Sequence, residues 1–148
     1  MPHFTHTLDI QTRGPGLYEF TDDLVRFVAE SRVETGLVTA FCRHTSASLL
    51  LQENADDDVK TDLLGFFRRI APAGMDWIVH RTEGPDDMPA HIKAALTQTS
   101  MGIFPNESAG RGPYKRTGFS GAQTRLRAWI GAFRQAWQRP KACKRYRT

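Results

Sequence analysis

The spacing of hydrophobic residues predicts four β-strands in the first part of the chain. In FTHTLDI, residues 4–10, an apolar or aromatic side chain occupies every second position, which is the period of a half-buried strand. A Gly-Pro-Gly sequence at 14–16 predicts the turn that ends it. The segment TGLVTAFCRHTSASLLL is rich in β-branched and apolar residues, which predicts strands at about 37–43 and 46–51. DWIVH, residues 76–80, predicts a further short strand.

Three other segments have the periodicity and the end signals of helices. Residues 22–33 carry an apolar stripe, with Thr21 as a candidate N-cap and two aspartates in the first turn. Residues 56–70 begin with acids and end with two arginines, as the helix dipole favours. Residues 87–98 form the third helix, in which the first turn tolerates Pro89. Because these helices interleave irregularly with the strands, the sequence predicts an α+β fold.

The length and the cysteine content indicate a reduced, soluble domain. The chain has 148 residues, which is enough for about one domain with its own hydrophobic core. Its two cysteines, Cys42 and Cys143, lack a CxxC partner and predict reduced thiols in the cytoplasm. The N-terminus lacks the pattern of a signal peptide, and no apolar run approaches the length of a membrane span. We therefore expect a soluble cytoplasmic protein.

Two polar segments that adjoin the predicted strands are candidates for binding. In RHTSAS, the imidazole of His44 and the hydroxyls of Thr45, Ser46 and Ser48 could bind an oxyanion. Composition alone favours a simpler interpretation, in which they form a polar strand edge. Asn54 lies where the second helix begins, so it could either cap that helix or bind a ligand.

The segment HRTEGPDDMPAHIK, which begins at His80, is the most informative. Glu83, Asp86 and Asp87 crowd around a Gly-Pro turn, and His91 lies one helical turn after Asp87. Like charges this close cost free energy unless a cation or hydrogen-bond donors hold them. An N-cap with a solvated acidic turn leaves His80 and Glu83 unexplained. The spacing thus indicates a metal site or an acid/base site.

HTSASLLLQENAD, followed some thirty residues later by HRTEGPDDMPAHIKAALTQTS, closely resembles the YjbQ-like family of small bacterial and archaeal proteins. The resemblance covers about residues 3–106. It implies an α+β fold with a β-sandwich-like core, a homotrimer, and a pocket lined by the motif residues. It also implies a weak secondary thiamine-phosphate synthase activity, in which a pyrimidine pyrophosphate is joined to a thiazole phosphate.

The resemblance assigns roles to residues by their position in these motifs. We predict catalytic roles for His44, Asp86, Asp87 and His91, and substrate binding by Thr45, Ser46, Ser48, Asn54 and Glu83. A hard divalent cation of the Mg²⁺ type on Asp86 or Asp87 could neutralise the departing pyrophosphate while His44 holds phosphate. Alternatively, His44, His80 and His91 bind a Zn²⁺-like transition metal. The sequence leaves both arrangements open.

The chain departs from the family pattern after residue 107. Residues 1–107 carry 9 basic and 16 acidic groups, whereas residues 108–148 carry 11 basic groups and no acid, which together give the net charge of +4. Family members have a strand ending in Glu-His-Arg there, and residues 120–124 can be encoded by DNA that reads Glu-His-Arg one nucleotide forward. We therefore interpret 1–107 as an incomplete YjbQ-like domain and 108–148 as a basic tail translated out of frame. Terminal strands are then missing or replaced, and activity is weak or lost.

Two other interpretations take this tail as an evolved segment. Apolar residues at helical spacing, from Leu126 to Trp137, predict a helix surrounded by arginines. That helix could pack on the domain, or it could bind nucleic acid or an anionic membrane. We rank the shifted frame first, packing second and a binding arm third.

Overall fold

A computed structural model describes residues 3–33, 36–53, 58–103 and 126–133 and shows a mixed α/β fold. The elements, in chain order, are β1 (Gly16–Glu19), α1 (Thr21–Ser31), β2 (Val38–Phe41), β3 (Ala47–Glu53), α2 (Asp58–Ile70), α3 (Asp87–Ala95), β4 (Ser100–Ile103) and β5 (Leu126–Ala132). The α+β class is thus confirmed, as are the three predicted helices and the strands expected near residues 40 and 50. No helix in the described ranges is long and apolar enough to cross a membrane.

The strands form two antiparallel sheets. The larger sheet has the order β1-β5-β3, with Ala132 opposite both Gly16 and Ala47. The smaller sheet pairs β2 with β4, with Val38 opposite Ile103. A single bridge between Leu49 and Gln98 links the outer edge of β3 to the segment that precedes β4.

The core lies on both faces of the larger sheet, because successive residues of a strand point to opposite sides. Leu49 packs in a cluster with Phe20 and Leu24 of the α1 region. Its neighbour Leu50 packs in a second cluster with Phe67 of α2 and residues of α3. The three helices therefore cover the sheet, and α3, which contains the second half of the motif that begins at His80, is held against β3.

The strand predicted at residues 4–10 is wrong. This segment lies outside the strands, the side chains of Phe4 and Leu8 are exposed, and the first strand begins at Gly16, where a turn was predicted. Alternation alone does not make a strand, since a strand needs a partner edge. Both edges of β5 are already occupied by β1 and β3.

The strand predicted at residues 76–80 is also wrong. Trp77 and Val79 are exposed while Ile78 is buried, so the burial does alternate. The backbone, however, folds into a turn in which the Ile78 N–H donates to the carbonyl of Met75, at 3.3 Å between N and O. The alternating burial of residues 77–79 therefore comes from the burial of the Ile78 side chain and not from strand pairing.

The helix predicted between Leu126 and Trp137 is wrong as far as the described residues reach, because Leu126–Ala132 is the strand β5. Its backbone is paired on both sides, and Ala128, Ala132 and Phe133 are buried. Within the described residues, this strand therefore lies between β1 and β3 in the larger sheet. The side chain of Trp129, Trp137 as a whole and most of residues 108–148 lie outside the described residues.

Candidate functional site

A tight turn places the first residues of α3. Gly84 has a φ of +109°, and a Cβ there would lie 3.3 Å from Oδ1 of Asp86, so glycine is favoured on both counts. Asp86 takes the N-cap position, without a capping hydrogen bond from its side chain. Pro89 lies buried in the first helical turn, as predicted. Asp87 and His91 follow four residues apart and so lie on one face of α3.

Two imidazoles converge on one buried carboxylate. Nε2 of His80 lies 3.0 Å from Oδ2 of Asp87, and Nε2 of His91 lies 3.4 Å from the same oxygen. One potential ligand atom from each of the three residues lies within 4.8 Å of the other two. The Asp87 side chain is only 3% exposed, whereas those of His80 and His91 are 46% and 33% exposed. The group is thus buried on the carboxylate side and open on the imidazole side.

The hydrogen bonding of His91 decides which of its nitrogens can bind a cation. Its Nδ1 lies 3.1 Å from the carbonyl oxygen of Thr45, and a carbonyl only accepts, so Nδ1 carries the hydrogen and donates it. Neutral His91 then presents the lone pair of Nε2 to Oδ2 of Asp87. Two acceptors face each other there unless a proton or a metal ion lies between them.

The HTSAS loop contacts this group through its backbone. The Thr45 carbonyl accepts from His91, which joins the two motifs as expected. Nδ1 of His44 accepts from the backbone N–H of Ser46 at 3.0 Å, and the Ser46 hydroxyl lies 3.1 Å from the same nitrogen. Neutral His44 therefore carries its hydrogen on Nε2. The converging group in the described ranges contains Asp87 beside His80 and His91, and the Nδ1 of His44 is engaged within its own loop.

The remaining predicted site residues occupy varied places. Ser48 is fully buried, and its hydroxyl is hydrogen bonded to Thr97, which in turn donates to the carbonyl of Lys93 at 2.9 Å. This chain of bonds ties β3 to the end of α3. Glu83 is exposed and Asp86 half-buried in the turn before the helix. Asn54 lies outside the described residues.

Lys93 is a buried cation that was not among the predicted site residues. It is 9% exposed. Burial lowers the pKa of its ammonium, repulsion from Arg68 lowers it further, and attraction to Asp86 partly opposes both. The spacing of Ala90, Lys93 and Ala94 gives the signal that could have revealed it, because it places the lysine on the buried stripe of the helix.

Replacing Lys93 with methionine is expected to stabilise the fold. Lys93→Met removes a desolvated charge at similar volume, so the free energy of unfolding at pH 7 should rise by about 1 kcal/mol. Between the lowered pKa and the ordinary value of about 10.4, the unfolded wild type binds more protons than the folded one, so wild-type stability rises with pH there. The difference in the free energy of unfolding between Lys93→Met and the wild type should therefore decrease from pH 7 to about pH 9.5, as measured by urea unfolding. Lys60→Met is the matched control, and an advantage that stays constant with pH would contradict this account.

The fold and the site together define a small α/β protein with a two-histidine, one-carboxylate candidate metal centre at the start of a helix. The family described as UPF0047 protein YjbQ-like matches residues 6–109. The chain belongs to this family. β5 lies beyond the matched span.

The sequence relatives support the same assignment. The chain is 54% identical over 96 residues to a UPF0047 protein of Synechocystis sp., an alignment that covers 65% of this chain and 65% of that protein. The match therefore spans just under two thirds of this relative's length. The UPF0047 protein YjbQ of Escherichia coli O157:H7 is 38% identical over 99 residues, which are 66% of this chain and 71% of that one.

Two solved structures share the fold. An uncharacterized conserved protein of the YjbQ/UPF0047 family from Clostridium acetobutylicum superposes with a TM-score of 0.66 at 28% identity, covering 86% of this chain and 87% of the other. A conserved hypothetical protein from Thermus thermophilus gives the same TM-score of 0.66 at 26% identity, covering 86% of this chain and 88% of the other. The structural likeness thus covers more of the chain than the family match does.

Proposed function

We propose that this chain binds a divalent transition-metal ion through Nε2 of His80, a carboxylate oxygen of Asp87 and Nε2 of His91. The observation that carries the proposal is the convergence of two imidazole nitrogens on one buried carboxylate oxygen, with the hydrogen of His91 held on Nδ1 by the Thr45 carbonyl. This outer hydrogen bond is typical of metal-binding histidines. Two imidazoles with one carboxylate suit Zn²⁺ and its neighbours better than Mg²⁺, which prefers oxygen ligands and water.

The substrates that we propose are phosphorylated small molecules, in a reaction like that of a thiamine-phosphate synthase. The thiazole nitrogen would form a bond to the methylene carbon of the pyrimidine while the bond from that carbon to pyrophosphate breaks, and pyrophosphate leaves with the electron pair. A bound metal ion would supply positive charge for such a leaving group. His44, whose neutral form carries its hydrogen on Nε2, would donate to a phosphate oxygen. The motif resemblance described under Sequence analysis supports this choice, as does the partial exposure of the His80 and His91 side chains, at 46% and 33%.

A zinc titration tests the metal proposal. Protein stripped with a chelator should bind about one Zn²⁺ per chain, and His80→Ala should weaken this binding by at least roughly 100-fold because it removes one of three ligands. His3→Ala, in the exposed N-terminal segment, is the matched control and should bind like the wild type. Equal zinc affinity in the wild type and His80→Ala would contradict the proposal.

An activity assay separates the enzyme from a protein that only binds. Incubation of the zinc-loaded chain with the pyrimidine pyrophosphate and the thiazole phosphate should yield thiamine phosphate and pyrophosphate, at a rate that His80→Ala abolishes. A non-catalytic phosphate- or metal-binding homotrimer is the second candidate, and the family resemblance supports the trimer. It predicts zinc binding and a trimeric mass in light scattering without any product.

A further inference from the structure

A pocket lies beside His80 and is lined in part by the turn that precedes α3. Its other lining residues are Gly74, Met75, Ile78, His80 and Arg81, and the turn supplies Gly84 and Pro85. The N–H of Gly74 donates to the carbonyl of Pro85 at 3.1 Å, which joins its two walls. Gly74 has a φ of +77°, and no heavy atom lies within 4 Å of the place where a Cβ would stand. This wall therefore faces open space, and His80 belongs both to the pocket and to the candidate metal centre.

The lining of this pocket combines an apolar surface with a fixed cation. Met75, Ile78 and Pro85 supply the apolar part. Nε of Arg81 donates to the carbonyl of Ile78 at 2.6 Å, and its Nη2 donates to the carbonyl of Asp76. Two main-chain oxygens thus fix the guanidinium, while a guanidinium has five N–H donors in all. The orientation of Arg81 is set before any ligand arrives.

The guanidinium of Arg81 belongs to the lining of this pocket. Glu83 and Asp86 belong to the neighbouring turn, but neither residue lines the pocket. A guanidinium held by two main-chain carbonyls at a pocket wall is suited to bidentate binding of a phosphate.

We propose that this pocket is a subsite for the phosphate end of a small organic phosphate monoester, bound by Arg81. The phosphate oxygens accept hydrogen bonds from the guanidinium, and the carbon skeleton next to the ester oxygen packs on Met75, Ile78 and Pro85. His80 lies between this subsite and the metal centre, so the bound phosphate is brought beside the reacting groups. The inference deepens the proposed function, since the ligand is the phosphorylated substrate of that same site.

Binding of phenyl phosphate tests the subsite, because this probe has one dianionic phosphate and one apolar ring. The zinc-loaded wild type should bind it in calorimetry, and Arg81→Gln should weaken the binding by roughly 10- to 100-fold, as expected for the loss of charged hydrogen bonds. Arg13→Gln is the matched control, because it removes the same charge from an exposed residue outside the pocket. Equal affinity in the wild type and Arg81→Gln would overturn the proposal, as would failure of the wild type to bind.

Filling the pocket gives an independent test that does not alter charge. Met75→Trp should weaken the binding of phenyl phosphate by about tenfold or more, because the new ring occupies the space of the ligand. It should leave the zinc affinity unchanged, and unchanged binding of phenyl phosphate would count against the apolar half of the subsite. The zinc titration also separates the two proposals. If the chain binds no zinc but still binds phenyl phosphate in a way that depends on Arg81, the result would support the subsite and refute the metal centre.

Discussion

Deletion of residues 126–148 is expected to abolish the cooperative thermal unfolding of this chain. β5 is the central strand of the larger sheet, and without it β1 and β3 have no partner in common. The deletion removes the backbone hydrogen bonds to both neighbours and takes Ala128 and Phe133 out of the two core clusters. Circular dichroism should show a broad, non-cooperative loss of signal in the truncated chain and one sharp transition in the full chain.

A single substitution within β5 tests the same point without deletion. A Cβ at Gly131 would lie 2.6 Å from Cζ of Phe133 and 3.2 Å from Cδ1 of Leu50. The Phe133 ring cannot move away freely, because its centroid lies 5.2 Å from that of the buried Phe67. Gly131→Val should therefore lower the free energy of unfolding by about 2 to 3 kcal/mol through overpacking.

Gly102→Val in β4 is the matched control for this substitution. A Cβ at Gly102 would meet only Cδ1 of Leu37, at the ordinary contact distance of 3.4 Å, and valine suits a strand. We expect a change within about 0.5 kcal/mol for this variant. If Gly131→Val melts like the wild type, β5 does not pack as described.

The outcome also bears on the interpretation of residues 108–148 as a segment translated out of frame. A truncated chain that melts as cooperatively as the full chain would favour that interpretation, and the nucleotide sequence after codon 100 would decide it. A required β5 would instead mean that part of this basic segment completes the sheet. The helix predicted there failed because a central strand is buried on both faces and lacks simple alternation.

Elements with local signals could be predicted from the sequence, and elements that depend on distant partners could not. Acids in the first turn and Pro89 define the ends of α2 and α3 within a few residues, because helix ends are satisfied by neighbours in sequence. Residues 4–10 have a clear strand pattern but no described partner edge. β1 and β5 have weak patterns, yet β1 pairs with β5 across 110–116 residues of chain, and β5 pairs with β3 across 73–85 residues.

In the candidate site too, the residues that lie close together in sequence could be predicted, and the contacts between distant segments could not. The crowding of His80, Asp87 and His91 around one turn is a local signal, and the structure brings these three together. Arg81 was missed because its anchors are main-chain carbonyls, which any sequence provides. The contact of Thr45 with His91 joins segments 46 residues apart, and only the family resemblance indicated it.

Asp87→Asn is expected to weaken zinc binding by at least roughly 100-fold, which corresponds to about 2.7 kcal/mol. Asparagine has nearly the same volume, so the buried position at the start of α3 stays filled, but a neutral amide is a far poorer zinc ligand than a carboxylate. Asp62→Asn, on the exposed face of α2, removes the same charge away from the site and should bind zinc like the wild type.

Thermal melting with and without zinc separates a metal ligand from a residue that only supports the fold. Zinc at about 100 times its dissociation constant should stabilise the wild type by about 2.7 kcal/mol, because the ion binds the folded chain alone. Asp87→Asn should show no such shift, whatever its melting temperature without metal. A variant that melts early but gains the full shift would mean that Asp87 orients the two histidines without contacting the ion. The buried carboxylate would then act as a positioning residue, and His80 and His91 would need another ligand to complete the centre.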